Sequence, residues 1–193
     1  MAKMIIGGDI CPTETNYSLF ERADTEALMG RELISIFQSA DYIFLNLEVA
    51  LTNTDTAIRK AGPNLKAPTA CIKGLKAINP YLYGLANNHI LDYGQEGLQS
   101  TIQSLSKASI SYTGIGNNLL DANKGYVAQV RDKKVGFYCC TEHEFTLATD
   151  KTPGANPFDP LYSLDTIEQL KENCDYCIVL YHGGKEFYRY PSP

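Results

Sequence analysis

Apolar runs that end abruptly in polar residues form the dominant pattern along the chain. Runs of this kind are typical of buried parallel strands, which meet apolar layers on both faces. Four of them are Met4 to Ile6, Tyr42 to Leu45, Tyr81 to Leu85 and Cys177 to Tyr181. Acidic, amide or imidazole side chains follow each run closely. Because the carboxyl ends of parallel strands share one edge of a sheet, we expect these side chains to converge there.

The segments between these runs predict an alternation of strands and helices in the first half. Helical spacing of apolar residues predicts three helices. The first ends near Gln38, the second runs from Thr69 to Ala77 and the third from Gln95 to Lys107. A short strand from Ser111 to Thr113 follows the third helix. Such a βαβ series favours a largely parallel sheet.

The second half has a different pattern. The apolar segments Tyr126 to Val130 and Lys134 to Cys139 flank the polar turn Arg131 to Lys133, which predicts an antiparallel hairpin. A helix from Ser163 to Glu172 is predicted before the last strand. Two packed sheets with helices on their outer faces satisfy both halves. The predicted fold class is therefore α/β, an αββα sandwich formed as a single domain over residues 1–193.

Composition and charge exclude several classes of function. The chain has 193 residues and a net charge of -5, so it lacks the basic surface that non-specific nucleic-acid or acidic-membrane binding requires. No apolar run reaches the roughly 20 residues that span a bilayer, and the first strand begins at Met4. The sequence as written therefore predicts a cytoplasmic protein.

The six cysteines are predicted to be reduced and to fill apolar space, which is the usual environment of free Cys. Cys174 and Cys177 form a C-x-x-C pair. A redox or zinc role for this pair is the less favoured interpretation, because no second pair lies at zinc-site spacing.

The segment from Ala86 to Gly94 holds the densest group of chemically active side chains. It places Asn88, His89 and Asp92 directly after a predicted strand. At such a position an amide oxygen can bind a metal ion while an imidazole nitrogen faces a substrate. This segment is therefore the first candidate for an active site.

Acidic and imidazole side chains at the other strand ends complete the candidate site. They are Asp9 after the first strand, Glu48 after the second and His182 after the last. Carboxylate, amide and imidazole ligands together suit Mn, Zn or Fe in a hydrolytic site, where a bound ion activates water. We predict one or two divalent ions as cofactors.

Five motifs, in this order, resemble the capsule-synthesis CapA proteins of poly-gamma-glutamate synthesis, a family of the metallophosphoesterase superfamily. The motifs are Gly8-Asp9, Asn46-Leu47-Glu48 with Ala50-Leu51-Thr52, Leu85 to Gly94, Gly114-Ile115-Gly116 with Asn118 and Ala122, and His182 to Glu186 with Pro191-Ser192-Pro193. The resemblance implies a two-sheet αββα sandwich of the metallophosphoesterase type. Family members often carry a membrane anchor that places the domain outside the cell.

The resemblance also implies roles for individual residues. Those in metal-ligand positions are Asp9, Glu48, Asn88 and His182. Glu48 takes the place of the carboxylate that bridges two ions. His89 resembles the imidazole that stabilises the leaving group or transition state, and Asp92 would orient its ring by a hydrogen bond.

Two features depart from the superfamily pattern. A histidine usually stands two residues after the first aspartate, where this chain has Cys11, whose ability to bind a metal depends on thiolate formation. The family domain also continues beyond the Pro-Ser-Pro element into further strands and histidine ligands. The printed chain thus corresponds to the family domain without its C-terminal part, and we expect an isolated fragment of this kind to bind metal weakly.

Further side chains are predicted to contact the substrate. Asn46 and Asn87 lie within the motifs, although Asn87 is equally suited to cap its turn. Glu142 follows a strand where CapA-like sequences carry an acidic Glu-x-Glu, which suits a substrate amine. Glu186 lies in the last motif, and Arg189 can clamp a phosphate.

A long loop is predicted from Thr52 to Pro68, because this segment is rich in Thr, Asn, Pro and Gly. Its Lys60 and Lys66 can meet an anionic substrate if the loop covers the site. A solvated surface loop is the favoured interpretation, since long loops usually lie at the surface.

Three functions fit this sequence. The favoured hypothesis is a divalent-metal-dependent phosphoesterase linked to capsule or poly-gamma-glutamate metabolism, acting on an anionic small molecule or polymer. The second is a non-catalytic accessory protein of the same biosynthesis, which uses the pocket to bind polyglutamate, a capsule polymer or a ligase. The third is an amide hydrolase that acts on gamma-glutamyl chains.

Overall fold

The fold alternates strands and helices in its first half and forms an antiparallel hairpin in its second, in a computed structural model that describes residues 2–184 and 188–190. The strands of this described part are β1 Met4–Ile10, β2 Tyr42–Leu47, β3 Ala50–Leu51, β4 Lys66–Ala67, β5 Leu82–Gly84, β6 Ser111–Thr113, β7 Ile115–Gly116, β8 Tyr126–Val130, β9 Lys133–Thr141, β10 Gly154–Ala155 and β11 Tyr176–His182. The helices are α1 Tyr17–Arg22, α2 Thr25–Gln38, α3 Ile72–Ala77, α4 Gly94–Lys107, α5 Leu119–Ala122 and α6 Tyr162–Glu172, with a 3-10 turn at Thr69–Cys71 before α3.

Two main sheets carry these elements. The first sheet has the strand order β1-β2-β5-β6, and all its neighbours are parallel. The second sheet has the order β11-β9-β8, in which β11 is parallel and β8 antiparallel to β9. The predicted parallel sheet and the predicted hairpin are both confirmed.

An apolar layer joins the two sheets face to face. Phe44 and Leu82 of the first sheet pack against Val135, Phe137 and Cys139 of the second, and all five side chains are buried. The rings of Phe44 and Phe137 stack with their centroids 5.6 Å apart. This layer fixes the distance between the carboxyl ends of the two sheets.

The outer faces of both sheets are covered by helices. Alternate residues of the first sheet, such as Leu45 and Tyr83, face a cluster that includes Leu75 of α3 and Leu98 of α4. On the second sheet, Cys140 packs with Leu170 of α6 and Tyr138. The layers therefore run helix, sheet, sheet, helix, as the sequence predicts.

Cysteines fill apolar space in all three clusters. Cys71, Cys139 and Cys140 are buried, and all six thiols are free. Burial raises the pKa of Cys71 to about 11 and that of Cys140 to about 12. A thiol with such a pKa stays protonated at neutral pH, which agrees with its role as a small apolar side chain.

Several local features differ from the sequence-based expectation. The helix predicted to end near Gln38 is α2, which ends at that residue, although Gly30 interrupts it with a φ of 76°. The preceding helix α1 was not predicted. The predicted loop from Thr52 to Pro68 ends in β4, which pairs with β3. A second short ribbon joins β7 to β10. Two-residue strands give no periodicity from which a sequence pattern could reveal them.

Gly114 allows a close approach between the two sheets. Its φ is 88°, and an added Cβ would lie 2.8 Å from the Cβ of Ala86 and 2.9 Å from that of Cys139. Gly62 has a similar φ of 81° but open space around it. A comparison of substitutions at Gly114 and Gly62 therefore distinguishes the effect of backbone strain from that of steric crowding.

We predict that Gly114→Ala lowers the free energy of unfolding by about 2 to 5 kcal/mol, since backbone strain and overpacking add. Gly62→Ala should lower it by about 1 kcal/mol, because only the strain applies. Chemical denaturation of both variants measures this difference. Equal losses in the two variants would show that Gly114 is not sterically crowded.

Candidate metal centre

A bulge in β1 turns Asp9 toward the space between the two sheets. Ile6 pairs with Phe44 of β2, and the next aligned pair is Asp9 with Asn46. Two residues therefore stand between the aligned positions in β1, but only one residue stands between them in β2. The extra residue places Asp9 on the same face as Phe44, although it lies three residues after Ile6. Its Oδ1 accepts a 2.6 Å hydrogen bond from Nδ2 of Asn46.

His182 crosses from the second sheet to meet the acidic residues of the first. Its Nδ1 lies 3.3 Å from Oδ1 of Asp9, and its Nε2 lies 3.5 Å from Oε1 of Glu48. Ligand atoms of these three residues all lie within 4.8 Å of one another. The predicted Asp, Glu and His ligands therefore form one cluster at the carboxyl ends of β1, β2 and β11.

Two amide side chains border this cluster. Oδ1 of Asn88 accepts a 3.1 Å hydrogen bond from Nε2 of His182, so its oxygen faces the same space as the carboxylates. Nδ2 of Asn46 lies 3.2 Å from Nδ1 of His182 as well as contacting Asp9. The oxygen of Asn88 thus lies beside the cluster, and its role as a ligand stays a prediction. Asn46, which was predicted to contact substrate, contacts two residues of the cluster.

The cluster concentrates negative charge. Burial lowers the pKa of the His182 imidazole, but hydrogen bonds and charge from Asp9 and Glu48 outweigh it and raise the pKa to about 9. The same hydrogen bond to His182, assisted by Asn46, lowers the pKa of Asp9 against the opposing effect of burial. A cation is strongly favoured here, and in the metal-free protein the imidazolium takes that role.

Cys11 lies near the cluster without joining it. Among the described residues, the cluster of possible ligand atoms consists of Asp9, Glu48 and His182. Burial, together with the charges of Glu48 and Asp9, raises the pKa of the Cys11 thiol to about 11. The thiol is therefore protonated at neutral pH in the metal-free protein, and a metal contact of Cys11 stays a prediction.

His89 stands beside the cluster and is held from behind by Asp92. Its Nδ1 donates to Oδ2 of Asp92 over 2.6 Å, and its Nε2 lies 3.9 Å from Oε1 of Glu48. Asp92 is fully buried. The ring is thereby oriented with one nitrogen toward the carboxylates of the cluster, as the resemblance implies.

Lys60 is the third member of this group, and its ion pair with Asp92 was not predicted from the sequence. Its side chain is 2% exposed, and its Nζ lies 2.5 Å from Oδ1 of Asp92. Oδ1 has no aligned hydrogen bond within the described chain, so this contact is a close ion pair. The ammonium also lies 5.6 Å from the ring centroid of Phe145. The expectation of a solvated side chain is therefore wrong for Lys60. Lys66, by contrast, pairs with Asp55, which is exposed.

Asp92 also anchors the loop between β3 and β4. Its Oδ2 accepts a hydrogen bond of 2.6 Å from the amide of Leu65, and its carbonyl oxygen accepts one of 2.9 Å from the amide of Ile58. Asn64 donates to the carbonyl of Ile58 over 2.8 Å. The loop is thus fastened over the turn that carries His89. A buried aspartate that needs a counter-charge is the one sequence signal that could have indicated Lys60.

The remaining predicted contact residues have other roles in this structure. Asn87 is fully buried, and its amide donates to the carbonyl of Leu47 while its oxygen accepts from the amide of His89. These contacts agree with the capping role of Asn87, which the sequence left open as an alternative to a substrate contact. Glu142 accepts a 3.0 Å hydrogen bond from the amide of Gly184, which steadies the segment after His182.

Arg189 is exposed, with its guanidinium 5.7 Å from the ring centroid of Tyr190. Glu186 lies outside the described residues, as do Lys185 and the Pro191-Ser192-Pro193 element. Substrate contacts of Glu142, Glu186 and Arg189 stay predictions.

The family model described as bacterial capsule synthesis protein PGA_cap matches residues 3–193. The chain belongs to this family. Capsule biosynthesis protein CapA of Bacillus anthracis is 28% identical over 193 residues, covering 87% of this chain and 47% of the relative. PGA biosynthesis protein CapA of Bacillus subtilis is 30% identical over 164 residues, covering 81% of this chain and 42% of the relative. The chain spans less than half the length of these two PGA_cap relatives.

Solved structures identify the fold of this PGA_cap chain. A novel phosphatase from Mycoplasma pneumoniae matches with a TM-score of 0.51 at 17% identity, covering 95% of this chain and 56% of that protein. A candidate 5'-nucleotidase from Staphylococcus aureus matches with a TM-score of 0.50 at 17% identity, covering 96% and 38%. The fold is therefore of the metallophosphoesterase type, and the chain spans only part of the length of these two proteins.

Within residues 2–184 and 188–190, each helix is too short or too polar to cross a bilayer.

We predict that the metal-free protein loses stability as pH rises from about 6.5 through about 9. The pKa of His182 is raised on folding from 6.5 to about 9, so its contribution is complete below the lower value and lost above the higher one. Thermal unfolding in the presence of a chelator measures this loss. The slope should disappear in His182→Gln and persist in His143→Gln, whose histidine is exposed; an unchanged slope in His182→Gln would contradict the assignment.

We predict that Asp92→Asn lowers the free energy of unfolding by about 3 to 5 kcal/mol, because it leaves the buried Lys60 ammonium without its partner. Asp55→Asn is the matched control, since Asp55 pairs with Lys66 in the same loop but is exposed. It should produce no measurable change. Similar losses for both variants in chemical denaturation would argue against a buried ion pair.

Proposed function

We propose that the chain is the metal-binding part of a divalent-metal-dependent hydrolase of the phosphoesterase type, which acts in capsule or poly-gamma-glutamate metabolism. The observation that carries this proposal is the convergence of Asp9, Glu48 and His182 within 4.8 Å, with His89 next to Glu48. Membership of the PGA_cap family supports the metabolic setting. The metallophosphoesterase-type fold supports the reaction class.

The donor set fits a divalent ion. Asp9 and Glu48 offer carboxylate oxygens, Asn88 an amide oxygen and His182 an imidazole nitrogen, a mixture that suits Mn, Zn or Fe. Such an ion, when bound, supplies a Lewis acid for a phosphoryl oxygen and lowers the pKa of water. The ion would displace the proton that His182 holds in the metal-free protein.

The protein's own side chains position the reactants. Asn46 fixes the Asp9 carboxylate through its 2.6 Å hydrogen bond, so that little ordering remains when an ion binds. His89 presents Nε2 to the space beside Glu48, where it can exchange a proton with a leaving group or stabilise developing charge. Asp92 holds the ring in that orientation.

The charge of the site favours an anionic substrate only with a cation present. Asp9 and Glu48 repel a phosphate, and the whole chain carries a net charge of -5. The same argument applies to polyglutamate or another acidic capsule polymer. Binding of either ligand class should therefore depend on the metal.

A non-catalytic accessory role is the second candidate. It is favoured by the position of Cys11, which among the described residues lies outside the cluster of possible ligand atoms and so leaves one expected ligand position unfilled. A protein with a single, incomplete ion site can bind a polyanion without hydrolysing it. A gamma-glutamyl amide hydrolase is the third candidate, because a Lewis acid polarises an amide carbonyl as well as a phosphoryl group.

We predict that the purified chain takes up a near-stoichiometric amount of Mn, Zn or Fe when it is dialysed to equilibrium against an excess of the ion, and that Glu48→Ala does not, since Glu48 contributes a ligand oxygen. Elemental analysis measures the content. Glu144→Ala, which removes an exposed carboxylate, should retain the metal. Absence of metal from the wild-type chain even with excess Mn would contradict the proposal.

A substrate screen then separates the three candidates. Metal-dependent cleavage of phosphoesters that is lost in Glu48→Ala supports the phosphoesterase. Release of glutamate from gamma-glutamyl peptides identifies an amide hydrolase instead. Metal-dependent binding of polyglutamate without cleavage of either substrate class identifies the accessory protein.

A further inference from the structure

Two cysteines flank the turn between α6 and β11. Cys174 stands two residues after the last residue of α6, and Cys177 is the second residue of β11. Both thiols are free and half-buried, whereas Cys71, Cys139 and Cys140 are buried. A reagent dissolved in water can therefore reach this pair more readily than the buried thiols.

The register of β11 on β9 brings the two sulfurs toward each other. Cys177 is paired with Gly136 of β9, and paired residues of neighbouring parallel strands lie about 4.8 Å apart with their side chains on the same face. A Cβ added to Gly136 would lie 2.9 Å from Sγ of Cys174. This sulfur thus occupies the space that a side chain at position 136 would fill, directly beside Cys177.

The surroundings of both cysteines agree with this placement. Each packs against the cluster of Tyr138, Cys140 and Leu170 on the outer face of the second sheet. Burial raises the pKa of the Cys177 thiol, and the neighbouring thiol of Cys174 raises it further. The two cysteines are therefore neighbours in one environment and not merely close in sequence.

The pair lacks the further ligands that a zinc site requires. A structural zinc ion takes four protein ligands. Among the described residues, the group of three or more possible ligands consists of Asp9, Glu48 and His182, and His182 is at the opposite end of β11. The chemistry left to two adjacent thiols is the formation of a bond between them.

We propose that Cys174 and Cys177 form an oxidative modification site, at which a small-molecule disulfide converts the two thiols into an intramolecular disulfide. The inference does not depend on the proposed function. It assigns a reaction to the C-x-x-C pair, for which the sequence favoured apolar packing.

The conversion takes two exchange steps. The thiolate of one cysteine attacks a sulfur of the external disulfide, whose S–S bond breaks, and the departing thiolate takes up the proton that the cysteine released. The thiolate of the other cysteine then attacks the protein sulfur of this mixed disulfide and expels the second external thiol, which is protonated in turn. Two protein thiols are oxidised, and one external disulfide is reduced to two thiols.

The local structure can accommodate the loss of both S–H groups. Sγ of Cys174 donates to the carbonyl oxygen of Leu170 over 3.1 Å, and oxidation removes this bond. The same carbonyl oxygen accepts a 3.0 Å hydrogen bond from the amide of Asn173, so it keeps a partner. Gly136 has no side chain that could hold the two sulfurs apart.

The cross-link would fasten the first part of β11 to the turn after α6. Within the described residues, β11 is an edge strand whose neighbour in the sheet is β9, and it ends at His182 of the candidate metal centre. Because the bond restricts the unfolded chain, we expect the cross-linked protein to unfold at a temperature about 5 °C higher than the reduced protein.

The test incubates the folded protein with oxidised glutathione at mildly alkaline pH, which increases the thiolate fraction. The remaining thiols are then alkylated in denaturant, and peptide mapping by mass spectrometry locates each disulfide. Wild-type protein should contain a bond between Cys174 and Cys177. Cys11→Ser removes another half-buried thiol and should leave this bond unchanged.

Two further variants separate the internal bond from simple modification by glutathione. Cys174→Ser and Cys177→Ser should each stop at a mixed disulfide between the remaining cysteine and glutathione, because the second thiol is missing. Thermal unfolding then compares oxidised with reduced protein. The rise in unfolding temperature should be present in the wild-type protein and absent from both serine variants.

Three results would overturn the proposal. The first is wild-type protein in which Cys174 and Cys177 carry only free thiols or mixed disulfides. The second is a disulfide that joins either of them to another cysteine. The third is cross-linked protein that unfolds at the same temperature as the reduced protein or at a lower one, which would show that the fold does not accommodate the bond. The wild-type measurements decide the matter even if a serine variant does not fold.

Discussion

The buried carboxylate of Asp92 is the interaction on which the site depends. A charge without access to water must be compensated inside the protein, and Asp92 obtains this compensation from the ammonium of Lys60. Its remaining acceptor capacity is used by the His89 ring and the amide of Leu65. One carboxylate thus fastens the His89 ring, a turn and a long loop. Any change in its charge has to be accommodated by all three.

The metal cluster depends on a second constraint, the packing of the two sheets. Asp9 and Glu48 belong to the first sheet and His182 to the second, so no single sheet can form the cluster. The stacked rings of Phe44 and Phe137 set the spacing of the sheets a few residues before the strands end. The bulge in β1 then supplies the change of face that lets Asp9 point into the gap.

Sequence patterns could predict the layers of the fold because a strand that is buried on both faces consists of a continuous run of apolar residues. The apolar run from Tyr42 to Leu45 is a central strand, and the turn at Arg131 joins two antiparallel strands. Patterns could not reveal the bulge, since alternation within so short a strand is compatible with either face for Asp9. The ribbon of β3 with β4 was also hidden, because two residues have no period.

Sequence reasoning brought residues at strand ends together and failed where burial decided the contacts. Parallel strand ends explain why Asp9 and Glu48 share one edge of the first sheet. His182 reaches them because the second sheet packs against the first. Asn87 and Asn88 have the same side chain, but the two side chains point in different directions. That of Asn87 donates to the carbonyl of Leu47 and caps its turn, whereas that of Asn88 faces His182 as a possible ligand. Lys60 and Lys66 look alike in sequence, yet only Lys60 has a buried partner.

The two charge systems of the site are balanced in different ways, and this difference bears on function. Lys60 compensates Asp92 permanently, because both groups are enclosed. Within the described residues, Asp9 and Glu48 are compensated by the imidazole of His182, whose pKa of about 9 lets it hold a proton at neutral pH. This charge differs from that of Lys60, because a cation that binds between the two carboxylates would displace the proton. The carboxylates of the cluster can therefore exchange their counter-charge, whereas Asp92 cannot.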